Sequence, residues 1–105
     1  MRQPNVGDRL SCSVWTNGST GWGLKVLGGP EVRREYFRRE VSPVLVEVDG
    51  TEHPFNVDKG SFWTESCGEL IGKPLREWKD RHQLRSKERA LLIVVEPFRR
   101  FKLQP

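Results

Sequence analysis

The chain has 105 residues, a net charge of +4 and 30% charged side chains, which fits one soluble domain with a single modest core. Its longest apolar stretch, residues 90–95, is far shorter than the roughly 20 residues that a membrane span needs, and the first ten residues contain no apolar signal segment. Two cysteines, Cys12 and Cys67, are too few for a disulfide scaffold. We therefore expect one domain over residues 1–105, ordered over about 9–103, with a cytoplasmic location and no membrane partner.

The first predicted element is a β-hairpin. Apolar and polar residues alternate over residues 10–14 and again over 22–26, as expected of two strands that each bury one face. Residues 16–21 between them are small or turn-prone, and Asn and Gly tolerate a positive φ. Trp15 falls on the polar parity of the first strand, so we expect its indole on the exposed face.

A short helix is predicted next. Pro30 suits the first turn of a helix because its missing N–H would have no partner there. Glu31 lies where the helix dipole favours an acid, and Arg38 and Arg39 lie where it favours cations. These positions predict a helix over residues 31–39.

A second hairpin gives the strongest local signal. Residues 44–48 and 51–57 are rich in β-forming side chains, and they flank Asp49 and Gly50, the pair typical of a type I′ turn. Pro54 has no N–H to donate to a neighbouring strand, so the returning strand is expected at an edge or a bulge of the sheet.

The last third of the chain predicts a helix and two strands. Pro74 suits the first turn of the helix, and Leu75 and Trp78 lie three apart on one side of it. Residues 90–96 are apolar on both faces, as in a central strand, and residues 101–103 alternate along a final one. The predicted order is β-β-α-β-β-α-β-β. We expect an α+β, mainly β fold: a small open barrel or pseudobarrel with two short helices.

This order resembles the DNA-binding pseudobarrel of the plant-type B3 domain, which also occurs as the recognition domain of some bacterial restriction enzymes. The likeness covers most of residues 9–103. It rests on Lys-Gly-Ser-Phe-Trp at 59–63, on the second-helix region at 75–84 and on the strand at 91–95.

Two segments depart from the B3 pattern. Arg-Ser-Lys-Glu at 85–88 stands where the family has Gly-Asp, and Gly-Gly-Pro at 28–30 stands where it has Ile-Pro. The resemblance implies that DNA lies across a concave face between two arms, with loops in the major groove. One arm matches residues 15–22.

The charged residues are unevenly distributed. Residues 73–105 carry ten bases and four acids, a net +6, whereas residues 1–72 carry eight bases and ten acids, a net −2. A cationic segment that contains aromatics is typical of a polyanion-binding surface, most often for nucleic acid. The alternative is that these cations only solvate exposed faces, and interleaved acids such as Glu77 favour it. The predicted phosphate contacts are Arg76, Lys79, Arg85, Lys87, Arg99 and Arg100.

The first hairpin loop is the predicted probe of a nucleic-acid groove. Asn17, Ser19 and Thr20 carry short polar groups that bond to base edges or phosphates, and Trp15 stands beside them. The alternative is a hairpin in which Trp15 and Trp22 pair across the strands and fill the core. The other two tryptophans are expected in the core: Trp63 and Trp78.

A second basic cluster lies on the predicted first helix. Arg34 and Arg38 are four apart on one side, a spacing that could straddle a phosphate backbone, and Arg33 and Arg39 extend the cluster. Nearby acids almost neutralise it, so a solvated helix face is the favoured interpretation. These acids are Glu31, Glu35 and Glu40.

The sequence predicts no catalytic residue, no metal and no cofactor. Cys67 has the thiol of a nucleophile, and His53 and His82 could serve as bases. No catalytic motif surrounds any of the three residues. Two cysteines and two histidines at these spacings match no zinc pattern. Glu-Trp-Lys at 77–79 fits a nuclease fragment, but metal-dependent cleavage needs further carboxylates that converge on the cation.

Two hypotheses from different classes remain. The first is a non-catalytic nucleic-acid-binding domain, with double-stranded DNA as the expected partner. The second is a small bacterial protein-interaction or accessory module. It would use an exposed aromatic patch around Trp15 and Trp22, with the positive charge serving only solubility. An enzyme is the least favoured class because no acid, base and nucleophile converge.

Overall fold

The computed structural model describes residues 4–17, 21–64 and 68–105, without the side chains of residues 16, 17, 21, 22 and 61. This part of the chain forms seven strands, two α-helices and one 3-10 turn. In chain order they are β1 (Arg9–Asn17), β2 (Gly21–Val26), α1 (Gly29–Tyr36), β3 (Val44–Val48), β4 (Thr51–Phe55), the 3-10 turn (Gly60–Trp63), β5 (Glu69–Ile71), α2 (Lys73–Arg81), β6 (Arg89–Glu96) and β7 (Arg100–Gln104).

All seven strands belong to one sheet that curls into a nearly closed barrel. The strand order is β4-β3-β7-β6-β1-β2-β5, in which β3 and β7 pair in parallel and every other pair is antiparallel. The fold class expected from the sequence, mainly β with two short helices, is therefore confirmed.

The inside of the barrel is the hydrophobic core. The alternation that predicted β1 places Leu10, Cys12 and Val14 inside, each at most 2% exposed. The central position expected of β6 is also correct, because this strand lies between β1 and β7. One inward-facing row crosses three strands through Val14, Leu24 and Leu70, all of them buried. The outward-facing positions of the same strands carry the charged residues considered below.

The first helix ends earlier than the sequence predicts. It stops at Tyr36, and Phe37 is extended, with φ −128° and ψ 153°. Phe37 leaves the helix to enter the core, where its ring stacks on Phe101 at 4.8 Å and meets Phe62 edge-on at 5.2 Å. Arg38 and its neighbours therefore follow the helix and do not extend its face.

The β3–β4 hairpin has the turn that Asp-Gly predicts. Asp49 and Gly50 have φ values of 51° and 86°, the two positive angles that a type I′ turn requires. Pro54 lies in β4, an edge strand, as expected. The other edge strand is the three-residue β5, which the sequence did not predict.

The second helix packs against β2 and β3 through buried Leu75 and Trp78. It ends at Arg81, beside the β3–β4 turn. There Arg81 Nε donates to Asp49 Oδ2 over 2.7 Å, and His82 Nε2 lies 2.8 Å from Asp49 Oδ1. Among the described residues, no helix has the length and apolar character that crossing a membrane requires.

Candidate nucleic-acid interface

The loop that follows α2 lies beside the β1–β2 hairpin. Val14 donates its N–H to the carbonyl of Glu88 over 2.8 Å, and Lys87 donates its own to the carbonyl of Val14 over 2.6 Å. Lys87 adopts a left-handed conformation, with φ 77°. Two backbone hydrogen bonds thus hold this basic loop against the hairpin, although the two segments come from opposite ends of the sequence.

Four cations surround this junction, and we call them the hairpin patch: Lys25, Arg85, Lys87 and Arg89. Ser13 of β1 lies opposite Lys25 on one side and opposite Arg89 on the other. The next pairs along the ladder place buried Cys12 opposite Val26 and Ala90, so by strand alternation the Ser13 row faces outward. Arg85 and Lys87 are exposed in the adjoining loop.

The cations of the hairpin patch have no carboxylate within 4 Å in the part of the chain that the structure describes. Two acids are near in sequence or register: Glu88 in the loop and Glu69, opposite Lys25. The patch therefore carries excess positive charge over two adjoining elements, which is the electrostatic footprint of a phosphate-binding surface.

Trp15 lies on the outer face of β1, as its parity predicts, but its ring is half-buried rather than fully exposed. It rests over Gly23 of β2, where an added Cβ would lie 3.3 Å from Trp15 Cε3. Gly23 in turn lies opposite Ile71, whose side chain is 61% exposed. An apolar row, Trp15–Gly23–Ile71, thus borders the hairpin patch.

The predicted groove-reading loop falls outside the described residues. Ser19 and Thr20 are not among them, and the side chains of Asn17 and Trp22 are not described. Their role in contacting bases or phosphates stays a prediction. The described ends of β1 and β2 show only that residues 17 and 21 pair, which places the loop at the tip of this hairpin.

The helix cations Arg76 and Lys79 lie on α2 and not in the hairpin patch. Arg76 is exposed, whereas Lys79 Nζ forms an ion pair with Asp80 at 2.8 Å. The hydrogen bond from Lys79, with a further contribution from the charge of Arg76, lowers the pKa of the Asp80 carboxyl. Lys79 is therefore partly neutralised, whereas Arg76 has no carboxylate within 4 Å in the described part of the chain.

The structure does not bring Arg99 and Arg100 to the hairpin patch. They follow the far end of β6 from Arg89, and the seven steps of about 3.3 Å along this eight-residue strand separate its two ends by roughly 23 Å. Arg100 Nε lies 3.1 Å from Glu96 and its Nη1 3.5 Å from Glu52, while Arg99 Nε lies 3.9 Å from Glu96. Glu96 precedes the two arginines by three and four residues, a spacing that could have indicated these ion pairs.

Arg33 has a role that the sequence did not reveal. The sequence favours a solvated helix face for the second basic cluster, but Arg33 is only 1% exposed. Its Nη2 donates to the carbonyl of Thr64, and its guanidinium lies 5.9 Å from the ring centroid of Phe62. Arg33 therefore ties α1 to the segment after the 3-10 turn.

Metal-ligand clusters and reactive thiols were both expected to be absent, and residues 4–17, 21–64 and 68–105 bear on these two features only. No group of three or more potential metal ligands occurs there. The free thiol of Cys12 is buried, and burial raises its pKa to about 12, which makes it a poor nucleophile. Cys67 lies outside the described residues.

Comparison with protein-family models, with curated proteins and with solved structures gives no match for this chain. The resemblance to the B3 domain therefore stays a prediction. Two members of the hairpin patch, Lys25 and Arg89, were missed from the sequence. Alternation indicates that Lys25 lies on the outer face of its predicted strand, but only the observed register brings Lys25 and Arg89 to either side of Ser13.

Proposed function

We propose that this protein is a non-catalytic, cytoplasmic nucleic-acid-binding domain that docks double-stranded DNA on the hairpin patch. One observation carries the proposal: two backbone hydrogen bonds join the basic loop at 85–88 to the β1–β2 hairpin and gather four cations that lack ion-pair partners among the described residues. A cation that is paired with a carboxylate has to give up that ion pair when it binds a DNA phosphate. The four cations of the hairpin patch have no such ion pair to give up.

The mode of docking that we propose follows the B3 type. The β1–β2 hairpin acts as one arm, and its tip, with Asn17, Ser19 and Thr20, enters a groove while the hairpin patch contacts the phosphates. The 3-10 turn, the two short helices and the barrel order are consistent with this proposal.

Fluorescence anisotropy with a labelled duplex, repeated over a salt series, tests the proposal. The double variant Arg85→Gln with Lys87→Gln should weaken binding about tenfold or more, and should reduce the slope of log K against log salt by about 2, since two phosphate contacts are lost. Both side chains are exposed, so the fold should not change.

The matched control is Arg99→Gln with Arg100→Gln, which removes the same charge from the opposite end of β6. It should leave the salt slope unchanged. Equal losses in the two double variants would mean that net charge alone drives binding. A flat titration of the wild-type chain at low ionic strength would reject the proposal.

The Trp15–Gly23–Ile71 row favours one alternative function, a protein-interaction module. Ile71 is 61% exposed on an edge strand beside a half-buried indole, and such apolar groups border many docking surfaces. This alternative function is favoured if the anisotropy of the labelled duplex does not change when the protein is added. In that case charge reversal in the hairpin patch should leave a partner interface centred on Trp15 intact.

A further inference from the structure

An open cleft of about 750 Å³ lies beside α1, on residues that the hairpin patch does not include. Arg34 and Glu31 line it from the helix, Arg38 and Arg39 from the segment that follows, and Trp63 from the 3-10 turn. Its volume lies within the range of about 300–1,000 Å³ that small-molecule sites occupy.

Trp63 forms an aromatic wall of this cleft. The sequence placed it in the core, but it is only half-buried. Its Nε1 donates to the carbonyl of Val57 over 2.8 Å, and its ring meets buried Phe62 edge-on at 5.1 Å. The indole is therefore anchored through its polar atom and its contact with Phe62, and the part of its ring that lines the cleft can stack on a flat ring.

Two arginines of the cleft lie against aromatic rings, and one of these rings is the indole of Trp63. Arg38 Nη1 donates to the carbonyl of Arg34 over 2.6 Å, and its guanidinium lies 4.3 Å from the ring centroid of Phe98. The guanidinium carbon of Arg39 lies 5.9 Å from the ring centroid of Trp63. Arg34 and Arg39 are exposed, so their planar forks are available to an anion such as a phosphate.

Two glutamates narrow the class of ligand. Glu31 and Glu35 line the same cleft, so its five charged side chains sum to only +1. These carboxylates disfavour a row of several phosphates inside the cleft, so we expect it to hold one phosphate only. A ligand with one phosphate, a flat ring and several hydroxyl or amino donors would be complementary to the arginines, the indole and the carboxylates together.

We propose that the cleft binds a single nucleotide. The base stacks on Trp63, the phosphate contacts Arg34 and Arg39, and sugar or base donors bond to Glu31 and Glu35. The nucleotide is either free in solution or an unpaired residue of a nucleic-acid strand. The proposal does not depend on duplex binding, because the cleft and the hairpin patch share no residue.

Isothermal titration of the full chain with AMP, adenosine and inorganic phosphate tests this site. AMP should bind saturably, and adenosine and phosphate should each bind at least about tenfold more weakly, because each satisfies only part of the cleft. Arg39→Ala should weaken AMP binding roughly fivefold or more. Trp63→Phe, which keeps a ring against Phe62, should weaken it by a similar factor.

Two control variants test whether AMP binding depends on the cleft or only on the net positive charge of the protein. Arg76→Ala removes an equally exposed arginine from α2 and should leave AMP binding unchanged, as should Arg85→Gln with Lys87→Gln. If Arg76→Ala weakened AMP binding as much as Arg39→Ala does, the proposal would be overturned. Adenosine or phosphate binding as tightly as AMP would also overturn it.

A single-stranded oligonucleotide and its fully paired duplex distinguish the two sources of the nucleotide. If AMP does not bind but the single strand does, with the same dependence on Arg39, the ligand is an unpaired residue of a strand. Absence of Arg39-dependent binding by both AMP and the single strand rejects the site. Either result leaves the duplex titration on the hairpin patch free to succeed or fail separately.

Discussion

Arg33 places a positive charge inside a small domain, and its surroundings explain how the fold accommodates it. The guanidinium donates to the Thr64 carbonyl, lies 5.9 Å from the Phe62 ring and fills the space in front of Gly68. A buried cation is tolerated only where such partners replace water. Arg33 and Tyr36 are the buried residues of α1, so they mark the side of the helix that faces the core. The partners lie 29 to 35 residues further along the chain, so the sequence of α1 alone could not identify them.

Gly68→Ala should therefore be strongly destabilising. Gly68 has φ +99°, and an added Cβ would overlap the guanidinium of Arg33, so this buried group would have to shift. We expect a loss of about 2–3 kcal/mol in the free energy of unfolding, measured by urea denaturation. Gly29→Ala is the matched control, because its φ is +79° with nothing within 4 Å of the added Cβ, and it should cost only about 1 kcal/mol. Equal losses would mean that backbone strain alone sets the cost.

At the scale of elements, the sequence predicted what depends on local pattern and missed what depends on distant packing. The alternation of β1 and the Asp-Gly turn were sufficient for two hairpins because both signals are contained in short segments. The end of α1 was not predictable, because the positions of Phe101 and Phe62 decide where Phe37 must go. The same holds for the hairpin patch. Arg85 and Lys87 were found by charge, but only the register of β1 with β2 and β6 adds Lys25 and Arg89.

The contact of α2 with the β3–β4 turn should make stability depend on acid pH. Hydrogen bonds from His82 and then from Arg81 lower the pKa of Asp49 in the folded protein. A carboxyl whose folded pKa lies below its unfolded value stabilises the fold above the unfolded pKa, about 3.9, and loses that contribution as pH falls through the folded pKa. Asp49→Asn should thus lower the free energy of unfolding by about 0.5–1 kcal/mol at pH 7. It should lower it by almost nothing at a pH below the folded pKa of Asp49.

Urea denaturation over a pH series measures this effect. Asn tolerates the φ of 51° at position 49, so the turn itself should survive the substitution. Asp58→Asn is the control, since Asp58 is exposed and has no ion-pair partner within 4 Å among the described residues. A difference between Asp49→Asn and wild type that persists unchanged at low pH would contradict the role of the carboxylate.

At the scale of the whole molecule, the barrel has one seam. The edge strands β4 and β5 do not pair with each other, but Phe55 at the end of β4 packs its ring against Gly72, the residue after β5. Phe55 is 2% exposed, so this contact seals the core where the hydrogen-bond ladder is missing.

Gly72→Ala tests the seam by steric means alone. Gly72 has φ 176°, an extended conformation that alanine adopts without strain, but its added Cβ would lie 2.9 Å from Phe55 Cε1. We expect a loss of about 1–2 kcal/mol in unfolding free energy, from overpacking. Gly60→Ala, with nothing within 4 Å of its Cβ, should be close to neutral. Phe55→Leu makes room for the methyl group, so the double variant should lose less than the sum of the single losses, because the two residues are in contact. Strict additivity would show that the ring does not close the barrel against residue 72.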